Sequence, residues 1–301
     1  MIPLTAEAAF RGYEAVRHRL PDASGPTRTP RHCDTLEDIA DDFDVFLLDA
    51  FGVLNIGETA IPETPERVER LRAAGKRVLV VSNAASLPHA SLVAKYQRLG
   101  YAFAPQEVVT SRATLVAAMK DRRGLHWGLM ASRGAGLHDL GDLEVSYLED
   151  DPAIYDAVDG FLMIGSSGWT EHRQALLEAA LNRRRRPVLV GNPDIVAPRE
   201  TGFSAEPGYF AHRLADRTGV TVEFFGKPFA NIYDLAFARL GEVDRSRVVM
   251  VGDSLHTDIL GAHAAGVASA LITGYGFFAG QDAARAVAAA GIAPDYLVRR
   301  P

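Results

Sequence analysis

Cysteine, long apolar runs and excess positive charge are all scarce in this 301-residue sequence, and each absence excludes a class of protein. The single cysteine, Cys33, can form no intrachain disulfide and lies in no pattern of metal ligands. No apolar run approaches the roughly 20 residues that span a bilayer, so we expect no membrane partner. The net charge of −6 disfavours nucleic acid as a main partner, because phosphate-backbone binding needs a basic face.

The first forty residues contain no pattern of a signal peptide. Charged residues interrupt the apolar order that such a peptide needs, at Glu7, Arg11, Glu14 and Arg17. We therefore expect a cytoplasmic protein. An apolar stripe predicts a helix within residues 5–20, and the Pro- and Gly-containing residues 21–30 predict a loop. This segment is expected to pack on the main domain.

From residue 43 onward, short apolar strands alternate with helical patterns. This alternation is typical of a parallel sheet with crossover helices. Strands are predicted at 45–49, 77–81, 128–131, 160–164, 187–190, 222–225, 248–252 and 268–272. Helices are predicted at about 65–75, 88–99, 171–182, 228–240 and 258–265. The fold class is therefore α/β, with a three-layer, Rossmann-like parallel-sheet core and an inserted α/β domain. We predict that residues 1–122 and 220–301 build the core and that residues 123–219 form the insert.

Carboxylates follow two of the most apolar predicted strands. Asp49 ends the strand at 45–49, and Asp253 follows the strand at 248–252, with Asp258 five residues further on. Parallel strands that end in polar residues deliver them to one crevice at the carboxyl edge of the sheet. One of these carboxylates can act as a nucleophile while the other two hold a divalent cation.

Two further polar positions complete this pattern. Ser82 and Asn83 end the strand at 77–81, and Lys227 precedes the proline that opens a helix. A hydroxyl and an amide can hydrogen-bond an anion, and a fixed ammonium can neutralise it. Together with the carboxylates, these groups are the inventory for phosphoryl transfer through an aspartyl intermediate.

The order of these motifs resembles the haloacid dehalogenase superfamily of aspartate-nucleophile hydrolases. The position of the insert between the serine and lysine motifs resembles the class IIA branch, which holds NagD-like sugar and nucleotide phosphatases and pyridoxal phosphate phosphatase. Four stretches carry the resemblance to this branch: residues 80–83 (VVSN), 191–194 (GNPD), 225–228 (FGKP) and 251–259 (VGDSLHTDI). The match covers about residues 43–275.

The resemblance implies a role for each motif residue. Asp49 would attack phosphorus, Ser82 would hydrogen-bond the transferring phosphoryl group, and Asn83 would assist beside it. Lys227 would neutralise the phosphoryl charge and orient Asp49. Mg²⁺ would be bound by Asp49, Asp253, Asp258 and the backbone carbonyl of Phe51. The insert would act as a cap, from which Asn192 and Asp194 would reach the substrate.

Phe51 departs from the family pattern. Phosphatases of this superfamily carry a second Asp two residues after the nucleophile, as general acid and base. Phenylalanine cannot transfer a proton, and losing such help typically costs about 10²–10⁴-fold in rate. Three interpretations stay open: a slow phosphatase or one for good leaving groups, recruitment of another proton donor such as His89 or His256, and a phosphometabolite-binding protein without turnover.

An aromatic residue at this position also resembles the 2-haloacid dehalogenases, which need no metal. The favoured hypothesis is a Mg²⁺-dependent phosphomonoester hydrolase for a small phosphorylated metabolite of the sugar phosphate or nucleotide type. Homodimerisation through the cap surface is a further expectation.

Overall fold

Two parallel β-sheets form the framework of the computed structural model, which describes residues 5–23, 25, 29–122, 124–141, 143–199 and 202–301. The larger sheet has seven strands, in the order Arg31–Thr35, Tyr296–Arg300, Ala268–Ile272, Val248–Gly252, Val45–Leu48, Arg77–Ser82 and Val108–Thr110. The smaller sheet has five strands, in the order Val222–Phe224, Val188–Val190, Gly160–Met163, His126–Met130 and Glu144–Tyr147. The predicted α/β class, with a Rossmann-like core and an inserted α/β unit, is confirmed.

Helices cover both faces of the larger sheet, because its central strands are apolar on both sides. Phe46 and Leu48 face one hydrophobic cluster, while Val45 and Leu47 face another, as the two-residue period of a strand requires. Helices Thr64–Ala73 and His89–Arg98 pack into the first cluster, and helices Ala230–Leu240 and Leu260–Ala265 pack into the second. The core therefore has the three predicted layers.

The smaller sheet and the helices around it form the unit that we call the cap. Helices Glu171–Arg183 and Pro207–Thr218 pack on one face of this sheet. On the other face, Trp127 and Leu162 pack against Leu115 of the core helix Ser111–Ala118. The cap thus rests directly on the core.

Several helices and two hairpins complete the described chain. Further helices are Ala6–Ala15, Pro152–Ala157 and Ala283–Ala290. The hairpins pair Asn55–Ile56 with Thr59–Ala60 and Val196–Pro198 with Phe203–Ala205. Among the described residues, no helix has both the length and the apolar character needed to cross a membrane.

The domain limits at residues 122 and 219 stay predictions, and one observation bears on them. Strand Val222–Phe224 pairs with Val188–Val190 in the smaller sheet, so residues assigned to the core by the sequence contribute a cap strand. The N-terminal segment also contributes more than expected. Strand Arg31–Thr35 pairs with Tyr296–Arg300 at the edge of the larger sheet, joining the two ends of the chain.

Candidate active site

Three neighbouring strands bring the predicted site residues to one edge of the larger sheet. Val45–Leu48 lies between Val248–Gly252 and Arg77–Ser82, and both pairings are parallel. Asp49, Asp253 and Ser82 therefore leave the sheet side by side. The backbone N–H of Asp49 still donates to the carbonyl of Val251 at 2.9 Å, which fixes the residue in line with its strand.

Lys227 joins two carboxylates of the site. Its ammonium nitrogen lies 2.6 Å from Oδ1 of Asp49 and 2.7 Å from Oδ1 of Asp258, and the lysine side chain is 1% exposed. Burial disfavours the charged ammonium, but the neighbouring Asp258 and Asp49 outweigh it and raise the pKa of Lys227. The side chain is therefore a fixed cation beside the predicted nucleophile.

Asn83 positions the loop that carries Lys227. Its Oδ1 accepts from the backbone N–H of Lys227 at 2.7 Å, and its Nδ2 donates to the carbonyl of Lys227 at 2.9 Å. Nδ2 also donates to Oδ1 of Asp194 at 2.8 Å. Both amide hydrogens are thus used within the protein. Asn83 ties the core to the cap, and its predicted contact with substrate stays a prediction.

Three carboxylates form a cluster that suits a divalent cation. Ligand atoms of Asp49, Asp253 and Asp258 all lie within 4.8 Å of one another. If all three are ionised, Lys227 balances one of their charges and two negative charges remain. Oxygen ligands and a residual charge of −2 fit Mg²⁺. A Cβ at Gly52, where φ is +76°, would clash with the carboxylate of Asp253, so the backbone next to Phe51 closely approaches the cluster.

Burial raises the pKa values of Asp49 and Asp253 in this cluster. Burial raises the pKa of Asp49 to about 6, although Lys227 acts in the opposite direction. Burial, followed by repulsion from Asp258 and Asp49, raises the pKa of Asp253 well above its ordinary value. In the cap, burial raises the pKa of Asp194 to about 8. A bound cation would relieve this repulsion.

Hydrogen bonds from the backbone orient two of the carboxylates. Oδ2 of Asp253 accepts from the N–H of Phe277 at 2.7 Å, and Oδ2 of Asp258 accepts from the N–H of Ser254 at 3.0 Å. A π-helical turn at Leu255–Ile259 places Asp258 in this position and leads into the helix Leu260–Ala265. Helical structure therefore begins earlier than the predicted start at 258.

The site opens into a cavity of about 150 Å³ between the core and the cap. Asp49, Ser82 and Asp253 lie on its core side, and Asn192 and Asp194 line it from the cap. The side chain of Asn192 accepts from the N–H of Asp194 at 2.9 Å and donates to Glu206 at 3.2 Å. Phe51 also lines this cavity.

Neither histidine proposed as a substitute proton donor is among the residues that line this cavity. Nε2 of His89 lies 3.0 Å from the carbonyl of Val108, on the edge strand of the larger sheet. His256 is buried, stacks on Tyr13 with ring centroids 4.9 Å apart, and pairs with Glu14. Burial also lowers the pKa of His256.

Nothing in the sequence indicated several polar residues of the cavity wall, among them Tyr13, Lys95, Arg199 and Glu206. Tyr13 was part of the stripe that predicted the N-terminal helix, and that stripe gave no reason to place it in a site. Lys95 lies within a helix, and Arg199 follows a strand of a two-stranded antiparallel sheet. The pattern that found the other residues, polar groups at the ends of parallel strands, therefore does not include them.

Known proteins resemble this chain over most of its length. Family models described as haloacid dehalogenase-like hydrolases match residues 46–136 and 224–300. Chronophin from Bos taurus is 32% identical in an alignment of 276 positions that covers 84% of this chain and 88% of that protein. Glycerol-3-phosphate phosphatase from Gallus gallus is 32% identical in an alignment of 283 positions that covers 85% of this chain and 88% of that protein.

A solved structure shares the fold. Glycerol phosphate phosphatase from Mycobacterium tuberculosis in complex with magnesium superposes with a TM-score of 0.68 at 22% identity. The match covers 86% of this chain and 75% of that one. At this level of identity the likeness concerns the fold alone.

Proposed function

Because this chain belongs to the haloacid dehalogenase-like hydrolases, in the class IIA branch of phosphatases, we propose that it is a Mg²⁺-dependent phosphomonoester hydrolase. The observation that carries the proposal is the Lys227 ammonium, held between Asp49 and Asp258 at 2.6 and 2.7 Å. A buried cation fixed against a carboxylate at a cavity wall suits a nucleophile that must meet a negatively charged phosphoryl group.

The reaction would proceed in two displacements. A carboxylate oxygen of Asp49 attacks phosphorus, the bond from phosphorus to the leaving oxygen breaks, and an aspartyl phosphate forms. Water then attacks this intermediate, which releases inorganic phosphate and restores Asp49. Lys227 offsets the phosphoryl charge, and the Ser82 hydroxyl donates to a phosphoryl oxygen. Burial of the site strengthens both interactions.

Mg²⁺ would be held by Asp49, Asp253, Asp258 and the Phe51 carbonyl. When bound, it would supply positive charge that stabilises the transferring phosphoryl group. Two observations support this assignment: the residual charge of the three-carboxylate cluster and the magnesium complex of the M. tuberculosis structure with the same fold.

Phe51 limits the rate and the choice of leaving group. Its side chain cannot protonate a departing alkoxide, so we propose slow turnover of alkyl phosphates and faster turnover of activated esters. The substrate is proposed to be a small phosphorylated metabolite of the sugar phosphate or nucleotide type. The cavity of about 150 Å³ and the name of the Gallus gallus relative support this class. Cytoplasmic location and homodimerisation stay predictions from the sequence.

The test is an assay of purified protein against an aryl phosphate and a panel of phosphorylated metabolites, with and without Mg²⁺. Asp49→Asn removes the nucleophile while keeping its shape, and should lower kcat by more than about 10³-fold. Asp156→Asn, an exposed carboxylate paired with Arg183, is the matched control and should leave kcat unchanged.

Turnover that persists in Asp49→Asn would refute the aspartyl mechanism. If the wild-type protein hydrolyses none of the substrates but still binds Mg²⁺, the alternative of a phosphometabolite-binding protein is favoured. The dehalogenase alternative gains no support from the site, since three clustered carboxylates suit a metal that such enzymes do not need.

A further inference from the structure

Two cations lie beside the aromatic ring of Phe51. The Lys95 ammonium and the central carbon of the Arg199 guanidinium are each 5.4 Å from its ring centroid. All three residues line the cavity that contains Asp49. Lys95 comes from the core helix His89–Arg98, whereas Arg199 follows the strand Val196–Pro198. The position that carries a second Asp in related phosphatases is therefore uncharged here, with positive charge next to it.

Lys95 can give up part of its present pairing at small cost. The side chain is 8% exposed and donates to the carbonyl of Gly57 at 3.1 Å and to Glu58 at 2.7 Å. The carboxylate of Glu58 is on a side chain that is 75% exposed. The Glu58 carboxylate can turn to solvent, so an arriving anion can take its place beside the Lys95 ammonium. The third ammonium hydrogen has no partner among the residues that the structure describes.

Two hydrogen bonds along one edge of the guanidinium orient Arg199. Nε donates to the hydroxyl of Ser204 at 2.7 Å, and Nη2 donates to Glu206 at 2.9 Å. Within the described parts of the chain, Nη1 donates to no protein atom. The anchored Nε and Nη2 keep the planar group in place, and the remaining donors suit an anionic oxygen.

We propose that Lys95 and Arg199 form a subsite for a second anionic group of the substrate, a carboxylate or a second phosphate. This inference rests on the proposed function, which places the transferred phosphoryl group at Asp49. A carboxylate at position 51 would compete with an anionic ligand for these two cations, whereas the phenyl ring does not. The preferred substrate class is therefore a phosphomonoester that carries another anion a few bonds from its phosphate.

A pair of ligands with one carbon skeleton tests the subsite. 3-Phosphoglycerate carries a carboxylate at the position where glycerol 3-phosphate carries a hydroxymethyl group. Their affinities are measured by calorimetry on Mg²⁺-loaded Asp49→Asn protein, and their KM values on wild-type protein. One charge-assisted contact corresponds to roughly tenfold or more in binding affinity. 3-Phosphoglycerate should therefore bind at least about tenfold more tightly than glycerol 3-phosphate. Propane-1,3-diol bisphosphate shows whether phosphate serves in place of the carboxylate.

Lys95→Gln and Arg199→Gln should each remove most of this preference while changing the KM for an aryl phosphate less than about threefold. Arg133→Gln is the matched control, because Arg133 also lies over an aromatic ring, Tyr147 at 4.8 Å, and also pairs with a glutamate, Glu149. It is not among the residues that line the cavity and should leave the preference intact.

Equal affinity for the two ligands, or no binding of either, would overturn the subsite. So would a preference that survives both substitutions, or an equal loss of both ligands, which would assign the two cations to the phosphoryl group. The proposed function fails separately, when wild-type protein has no Mg²⁺-dependent turnover of the aryl phosphate. Calorimetry needs no turnover, so the two failures are distinguishable.

Discussion

Phe51 is the residue whose replacement most directly separates acid–base chemistry from the rest of the site. Phe51→Asp would supply a carboxyl group two residues after the nucleophile. We expect kcat for an alkyl phosphate to rise by at least about tenfold, because general acid help is worth about 10²–10⁴-fold. The nearby Lys95 and Arg199 favour the ionised carboxylate, which has no proton to donate, and so keep the gain towards the lower end of that range. An aryl phosphate, whose leaving group needs less protonation, should gain less. Steady-state kinetics on both esters measure the difference.

Phe51→Leu is the control for this substitution, because it removes the ring without adding a proton donor. It should leave the ratio of alkyl to aryl turnover unchanged. The absence of any gain in Phe51→Asp would mean that other parts of the site have diverged as well. A gain in Phe51→Leu would instead mean that the ring hinders turnover sterically.

The residues predicted from the sequence share one property that the missed ones lack. Asp49, Ser82 and Asp253 follow apolar strands, so the rule for parallel sheets is enough to place them together at one edge. Lys95 lies in the middle of a helix, and Arg199 follows a strand of a two-stranded hairpin. Their proximity depends on how the cap rests on the core, which periodicity in the sequence does not encode.

The N-terminal helix Ala6–Ala15 connects the two halves of the molecule. Tyr13 accepts a hydrogen bond from the N–H of Ile195 in the cap at 3.0 Å, and its ring stacks on His256 of the core. Further along, Arg19 pairs with Asp216 of the cap helix Pro207–Thr218. A segment expected only to pack on the main domain thus holds the backbone next to Asp194.

Tyr13→Phe tests this element. The substitution leaves the buried N–H of Ile195 without an acceptor, which should cost about 1–3 kcal/mol in the free energy of unfolding. Because Asp194 is the preceding residue and lines the cavity, we also expect kcat/KM to fall several-fold. Thermal unfolding and steady-state kinetics give the two readouts.

Tyr155→Phe is the control, because it loses a hydrogen bond to the carbonyl of Glu149 at 2.7 Å within the cap. It should lower stability but leave kcat/KM unchanged. Equal kinetic effects in both variants would contradict a specific role of the helix.

At the level of elements, most interior strands of the two parallel sheets were predicted, whereas three of the four edge strands were not. The strands at 248–252 and 268–272 have the predicted limits, because each is a run of apolar residues flanked by turn-forming residues. Strand Arg31–Thr35 is polar and half-exposed, and its hydrogen-bond partner Tyr296–Arg300 lies at the other end of the chain. Such a strand exists because of its long-range pairing, so local sequence does not predict it.

For the whole molecule, the cavity gathers groups of opposite charge from distant parts of the chain. Carboxylates of the core strands lie on one side of it, and Asp194 and Glu206 come from the cap. Asn83 ties the two units together through its hydrogen bonds with Asp194 and Lys227. Burial raises the pKa of Asp194 to about 8 and of Asp49 to about 6. Folding therefore concentrates negative charge that protons or a cation must compensate.

This concentration of charge predicts how stability depends on pH and Mg²⁺. Unfolded aspartates titrate near about 4, so the raised pKa values of Asp49 and Asp194 stabilise the fold fully below pH ~4. That contribution is lost as the pH rises through about 6 and about 8.

Mg²⁺ requires ionised ligands and so should raise the Tm more at pH 8 than at pH 5.5. At 100 times its Kd, it would add about 2.7 kcal/mol, which corresponds to several degrees in thermal unfolding. Asp253→Asn should abolish the Mg²⁺ shift, while Asp194→Asn should keep it and weaken the pH dependence of the metal-free protein. A Tm shift of equal size at both pH values would contradict the proposed carboxylate site.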